Sequence, residues 1–352
     1  MREQPCCRRK IKESTQSLEQ SDRKNAMSKR ALICGISGQD GTYLAKLLLE
    51  RGYEVWGSSR DAELTPFNNL RRLGIYDSVR LVSLNLRDIG SAIGLLRRIR
   101  PDEVFSLAGQ SSVGLSFEQP VETIESVALG TLTLLEAIRL TEPGIRLYNA
   151  GSTECFGDTG DSVANESTQF HPRSPYAVAK ASAFWTVANY REAYGMFACT
   201  GILSNHESPL RPRRFVTRKI IHAAASVALG RDTKLSLGNL NIERDWGWSP
   251  EYVQAIKQML EQTAPQDYII ATGESHTLTE FIETAFNLID KDWHDYVSID
   301  EHLLRPTDIL RNKVDPSRAA KCLGWTATSG MSRVISMMLE SEIENLSKGD
   351  LA

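Results

Sequence analysis

The chain has no apolar run long enough to cross a bilayer, no C-x-x-C pair, no block of like charge, no internal repeat and no low-complexity segment. Each absence removes a class of protein. A transmembrane helix needs roughly 20 consecutive apolar residues, so none is expected. The six cysteines, at 6, 7, 34, 155, 199 and 322, form no cluster with histidine at metal-ligand spacing. No metal site is therefore expected, and the cysteine usage favours a reducing compartment. The 41 basic and 44 acidic residues are interspersed and leave a net charge of -3, which argues against a nucleic-acid or membrane surface. A local basic site for an anionic ligand stays open.

What is present is ample material for a core: 352 residues, of which 41% are hydrophobic and 24% charged. Residues 1–27 are polar, lack an apolar h-region and are expected to form a disordered extension. Their Arg and Lys content weakly resembles a transit peptide, but Glu13, Glu19 and Asp22 oppose that reading, so a cytoplasmic protein is expected. From Arg30 onward, the short apolar runs "RALICG", "YEVWGSS", "VRLVSLNL", "DEVFSLAG", "IRLYNAGS" and "FACTGILSN" are separated by helical patterns. Parallel strands need crossover connections and helices supply them, so this rhythm predicts an α/β fold with a doubly wound parallel (Rossmann) sheet over residues 28–203. At "SPLRPRRF" the rhythm breaks, and residues 204–345 are expected to form a smaller mixed α/β substrate lobe, with some segments returning to the first domain.

Ligands of such sheets bind beyond the carboxyl ends of the strands, which makes the residues closing each run informative. The first run ends in "GISGQDGTYL", where Gly35, Gly38 and Gly41 flank Gln39 and Asp40 before an amphipathic helix. This spacing lets backbone approach a pyrophosphate and offers it the helix N-terminal N–H groups. The second run ends in Ser58, Ser59 and Arg60. A guanidinium there suits a ribose 2′-phosphate and favours NADP, while a solvated loop arginine is the alternative reading. Asn85 and Leu86 close the third run, where an amide can contact adenine. The fourth closes with Leu107, Ala108, Gly109 and Gln110, small enough for a cofactor to lie against the backbone.

The fifth run delivers "GSTECFG", which sets the hydroxyl of Ser152 beside the carboxylate of Glu154. Tyr176 and Lys180, four apart in "SPYAVAKASAFW", project from one helical face. A phenol of ordinary pKa about 10 is a poor base at neutral pH, and a nearby ammonium is expected to lower that value. A Y-x-x-x-K pair is common by chance, but Ser152, 24 residues earlier at a strand end, can hydrogen-bond the same substrate oxygen.

From Arg30 to about Glu340 the chain resembles the extended short-chain dehydrogenase/reductases and, within them, is similar to the GDP-mannose 4,6-dehydratase family. The segments "GISGQDGTYLA", "PRSPYAVAK", "ANYREAYGMFA", "GILSNHESP", "FVTRKI", "LSLGNLNIERDWG", "YIIATGE" and "LRPTDIL" carry the resemblance. It implies that Ser152 orients a sugar hydroxyl, that Tyr176 is the base with Lys180 beside it, and that Glu154 is the acid distinguishing a dehydratase. Oxidation at C4 acidifies the C5 proton, and a second base must remove it. The resemblance further implies a tightly held NADP, regenerated within the cycle, that Lys180, His206 and Arg211 contact, and a GDP-mannose or related GDP-sugar substrate. Asn205 would meet its diphosphate, and Val216, Lys219, Arg244 and Arg305 would line that pocket. His206 reads equally as a structural histidine, and Lys219 as a solvated cation.

The segment "SSRDAELTPFNNLRRLG" lacks the Arg-Arg-Ser-Ser-Ser stretch by which the family's tetramers reach a neighbour's cofactor, so a homodimer is expected ahead of a tetramer. Rival readings are a GDP-4-keto-6-deoxy-sugar reductase, a dehydratase of another GDP-sugar, and a non-catalytic cofactor-binding regulator.

Overall fold

The apolar runs become strands, the central ones buried on both faces, as a parallel sheet covered by helices requires. A computed structural model of the chain describes residues 28–349; the expected extension at 1–27 lies outside the described residues. Six parallel strands, β1 (Arg30–Cys34), β2 (Glu54–Ser59), β3 (Arg80–Ser83), β4 (Glu103–Ser106), β5 (Arg146–Ala150) and β6 (Ala198–Leu203), match the six sequence runs. A seventh, Tyr268–Ile270, pairs in parallel with β6. The spatial order is β3-β2-β1-β4-β5-β6 and then Tyr268–Ile270, so the winding direction reverses between β1 and β4. The ends of these two strands therefore border the crevice where ligands of such sheets bind.

Each face has its own helical layer. On one face Leu44 and Leu48 of the helix Gln39–Glu50 pack with Tyr252, Ile256 and Leu260 of the helix Ser249–Glu261. On the other, Leu95, Leu134, Ile138 and Val187 from the helices Ile89–Ile99, Gly130–Thr141 and Pro175–Tyr194 share a core. The fold is thus the expected doubly wound sheet. Beyond residue 203 the helix Ser249–Glu261 and the strand Tyr268–Ile270 belong to this sheet and its layers.

A second core forms where the helices Val216–Ala228, Leu278–Asn287 and Met331–Ser347 bring together Ile220, Phe281, Val334 and Met338. Short pairings trim this smaller lobe, including Glu243–Arg244 with His276–Thr277. Trp246–Trp248 pairs with Asn205–Glu207, just past β6, and stitches the lobe to the crevice. Among the described residues no helix is long and apolar enough to cross a membrane.

Candidate active site

The first turn of the crevice is built for close approach. Gly35 has φ +86°, and a Cβ there would stand 2.8 Å from the Ala108 backbone nitrogen. Gly38 caps the helix Gln39–Glu50 in extended conformation with no side chain over the end, leaving the first N–H groups free to face an anion. A backbone cradle that side chains would fill, set against the half-buried Leu107 and Ala108, fits the pyrophosphate of a dinucleotide. Gln39 and Asp40 turn the other way. The Gln39 amide donates to His206 O at 3.0 Å and accepts from Ser208 Oγ at 2.7 Å. Asp40 meets His206 Nε2 at 2.9 Å and Ser249 Oγ at 2.8 Å, while His206 Nδ1 bonds Ser204 O. These side chains therefore brace the turn against the strand Asn205–Glu207.

Around the crevice, Arg60 is exposed and pairs with Glu122 at 3.1 Å. Asn85 is exposed and accepts from the Arg87 N–H, with half-buried Leu86 between them. Gln110 donates to Ser112 O, and its backbone N–H donates to Ser126 Oγ in a single π-helical turn, Glu125–Leu129. Arg211 lies with Nε 3.0 Å from Glu207 and its Nη1 on His206 O.

The candidate acid–base residues converge at the end of β5. Ser152 caps the 3-10 turn Thr153–Phe156 by accepting from the Glu154 N–H, so hydroxyl and carboxylate are held by one short segment. Tyr176 and Lys180 approach from the helix Pro175–Tyr194, whose end is capped by Ser174 Oγ accepting from the Ala177 N–H. Ser152, Glu154 and Tyr176 are all nearly buried. Burial pushes the Tyr176 phenol well up, against the pull of the Ser152 hydroxyl and reinforced by the Cys155 thiol and the Glu154 charge. The expected lowering by Lys180 is not found. Its ammonium donates to Ala150 O at 2.6 Å and stands 5.7 Å from the phenol ring centroid. Burial brings Lys180 itself down to about 8, with Cys155 and Asp40 opposing.

Among the expected diphosphate contacts, Asn205, Val216 and Arg305 are half-buried and Lys219 is exposed. Arg305 pairs with Asp308 at 3.4 Å. Arg244 differs: its side chain is only 4% exposed, and its Nε lies 3.4 Å from Glu154 Oε1. The structure also brings in residues that sequence reasoning missed. Asn312, 2% exposed, donates its amide to Thr153 O at 3.0 Å and Gly157 O at 3.2 Å, gripping both ends of the Glu154 turn. Asp308 stands 3.9 Å from Arg244. A lone Asn in "LRNKVD" carries no sequence signal for a contact 159 residues away.

Comparison with known proteins gives a concordant picture. A family model described as GDP-mannose 4,6 dehydratase matches residues 32–338. GDP-mannose 4,6 dehydratase 1 of Arabidopsis thaliana is 46% identical over 328 residues, covering 90% of each chain. Among solved structures, UDP-glucose 4-epimerase of Thermus thermophilus in complex with NAD superposes with TM-score 0.77 at 26% identity, covering 89% of this chain and 98% of that one. The protein RMD of Pseudomonas aeruginosa complexed with NADPH gives TM-score 0.74 at 21% identity over 90% of this chain and all (100%) of its own.

Proposed function

The chain belongs to the GDP-mannose 4,6-dehydratase family, and from that premise we propose that Ser152, Glu154, Tyr176 and Lys180 convert GDP-mannose to GDP-4-keto-6-deoxymannose and water. It is an enzyme, a hydro-lyase acting on a sugar nucleotide with a nicotinamide cofactor. When bound, the dinucleotide supplies the redox chemistry, accepting hydride from C4 and returning it to C6.

The protein's own groups move the protons. Ser152 holds O4 of the hexose and Tyr176, as its phenolate, removes the O4 proton as C4 is oxidised; burial opposes that form, and the positive charge of the oxidised nicotinamide, beside the Lys180 ammonium anchored on Ala150 O, would favour it. Glu154 takes the C5 proton that the new carbonyl has acidified, and passes it to the C6 hydroxyl, which leaves as water. The proton that Tyr176 took from O4 is the one returned to C5, which restores both bases and closes the cycle. Tyr176, engaged at O4, cannot perform both tasks, so the second carboxylate defines the reaction.

Gly35, Gly38 and Gly41, with the backbone of Gln39 and Asp40, frame the pyrophosphate site, with Leu107, Ala108 and Gln110 along the dinucleotide and Asn85 and Leu86 at its adenine. Arg60 makes NADP the preferred form, its 2′-phosphate taking the place of Glu122 as the guanidinium's partner. Asn205, Val216, Lys219 and Arg305 receive the GDP moiety. A homodimer covers the exposed apolar side chains Val121, Ile124, Leu132, Val178 and Trp185 on the contacting helices of residues 120–141 and 175–194.

One observation supports this reading above the others: Glu154 and Ser152 share the turn that closes β5, and the Tyr176 phenol senses both. The test is to give the purified protein GDP-mannose without added reductant and follow the loss of water by mass spectrometry. A 4-keto-6-deoxy product is expected. Strict dependence on added NADPH with a keto substrate would make the protein a reductase instead, and a parallel screen of other GDP-sugars fixes the hexose.

A further inference from the structure

We propose that Arg87 is a second ligand of the cofactor's 2′-phosphate beside Arg60, and that Glu122 is the carboxylate both arginines hold until the phosphate takes its place; this rests on the NADP reading above. The two arginines leave neighbouring strand ends. β2 and β3 pair in parallel up to Ser59 and Ser83, and the Leu84 N–H donates to Ser59 O at 2.8 Å, so the backbones below the two side chains run about 4.8 Å apart. Their tips meet on one acid. Arg60 Nη1 lies 3.1 Å from Glu122 Oε1, and Arg87 Nη1 lies 3.6 Å from Glu122 Oε2. Each oxygen of a single carboxylate is thus taken by a different arginine.

A phosphomonoester carries about two negative charges at neutral pH and three acceptor oxygens, more than one guanidinium satisfies. Two guanidiniums already converging on a monoanion suit it better. Glu122 is free to leave, because Arg87 keeps a second partner in Glu125 and the Glu122 side chain, 33% exposed on the short helix Pro120–Ile124, has water to turn into. Exposed ion pairs add little to stability, so the cluster is not needed to hold the fold. The backbone beneath it is nevertheless fixed to the crevice. The Arg87 N–H donates to Asn85 Oδ1 at 3.1 Å, which sets Arg87 on the same turn as the proposed adenine contact. On the other side, Gln110 donates to Thr123 Oγ1 at 3.2 Å and its backbone N–H to Ser126 Oγ at 3.2 Å, which ties the segment carrying Glu122 and Glu125 to the loop after β4. With NAD, whose ribose bears only a hydroxyl, both arginines keep Glu122; with NADP they exchange it for the phosphate.

The test titrates the full chain, freed of bound dinucleotide, with NADP, NAD and adenosine 2′,5′-bisphosphate in a calorimeter. The unaltered protein is compared with Arg87→Gln, Glu122→Gln and the double variant Arg87→Gln/Glu122→Gln. Arg87→Gln weakens NADP and the bisphosphate about 10-fold, the worth of one charge-assisted contact, and leaves NAD where it was. Glu122→Gln tightens the same two ligands, because the phosphate no longer displaces a charged rival. That gain shrinks in the double variant, since the two residues share one interaction. All the variants keep a cooperative melt. Equal weakening of NADP and NAD in Arg87→Gln, or weaker NADP binding in Glu122→Gln, overturns the proposal. Loss of the cooperative melt in both single variants overturns it as well, since the cluster would then be a brace of the fold. An unaltered protein that holds NAD as tightly as NADP overturns the NADP reading and this proposal with it, whereas a preference for NADP that survives Arg87→Gln in full overturns the proposal alone.

Discussion

His206 and Asp40 meet at 2.9 Å although 166 residues separate them in the chain. Burial drives the histidine's pKa down, but the Asp40 charge and hydrogen bond outweigh it and the net shift is upward. Burial likewise drives Asp40 up, and the His206 charge, with the hydrogen bonds from His206 and Ser249, brings it down to about 2. The pair therefore neutralises a carboxylate in the first turn of the helix proposed to face a pyrophosphate. An uncompensated negative charge there would repel the ligand.

The signs of the two shifts set a pH window. The raised His206 contributes stability fully below its ordinary value of 6.5 and loses it as pH rises through the raised value. The lowered Asp40 contributes fully above 3.8 and loses it as pH falls through about 2. The gap in melting temperature between the unaltered protein and His206→Gln is thus expected to be widest from pH 4 to 6.5 and to narrow on either side. A gap independent of pH would show that the two groups are not an ion pair.

Glu154→Gln and Lys180→Met should stop the cycle at different points. The first blocks proton removal from C5, with a loss of about 10²–10⁴-fold in product, while reduced cofactor still forms. The second removes the ammonium anchored on Ala150 O, the group proposed to contact the cofactor, and suppresses oxidation itself, so no reduced cofactor appears. Stopped-flow absorbance with GDP-mannose separates the two, and equal traces would refute the division of labour.

Asn312→Ala removes the donor from two carbonyls around the turn. A loss of about 1–3 kcal/mol in denaturant unfolding is expected, together with a fall in kcat larger than any rise in KM. Unchanged kcat would mean that the turn is held well enough by its neighbours.

Gly35→Ala is expected to destabilise the protein outright, because the residue has φ +86° and the added Cβ meets Ala108 backbone at 2.8 Å. Gly38→Ala meets nothing nearer than Gly35 O at 3.4 Å, so it should fold and bind cofactor more weakly. Calorimetric titration with NADP and NAD against both variants checks this, and against the unaltered protein it decides the cofactor form.

How much of this was legible in the sequence follows from how far each interaction reaches. The strands β1 to β6 announce themselves as apolar runs, and the glycine turn and the Tyr176/Lys180 spacing are local patterns that fold as written. The three-residue strand Tyr268–Ile270 is too short for its place in the sheet to show in the run alone. The Tyr176 phenol was misjudged for a different reason. Spacing puts Lys180 on the same face, but only the fold shows the ammonium engaged by Ala150 O and the phenol dominated by burial. Asn312, Asp308 and the Arg244–Glu154 pair join segments far apart in the chain, and no periodicity records such meetings.

The stretch from Arg311 to Val314 alternates like a strand. Asn312 and Val314 are buried, while Arg311 and Lys313 reach the carboxylate of Glu243. Parity therefore matters here more than composition. A single inserted or deleted residue would exchange the two sets, turning a cation toward the Thr153 and Gly157 carbonyls and an amide toward Glu243. The acid–base chemistry would then be lost with every acid and base still in the chain, a failure that a catalogue of catalytic side chains would not register.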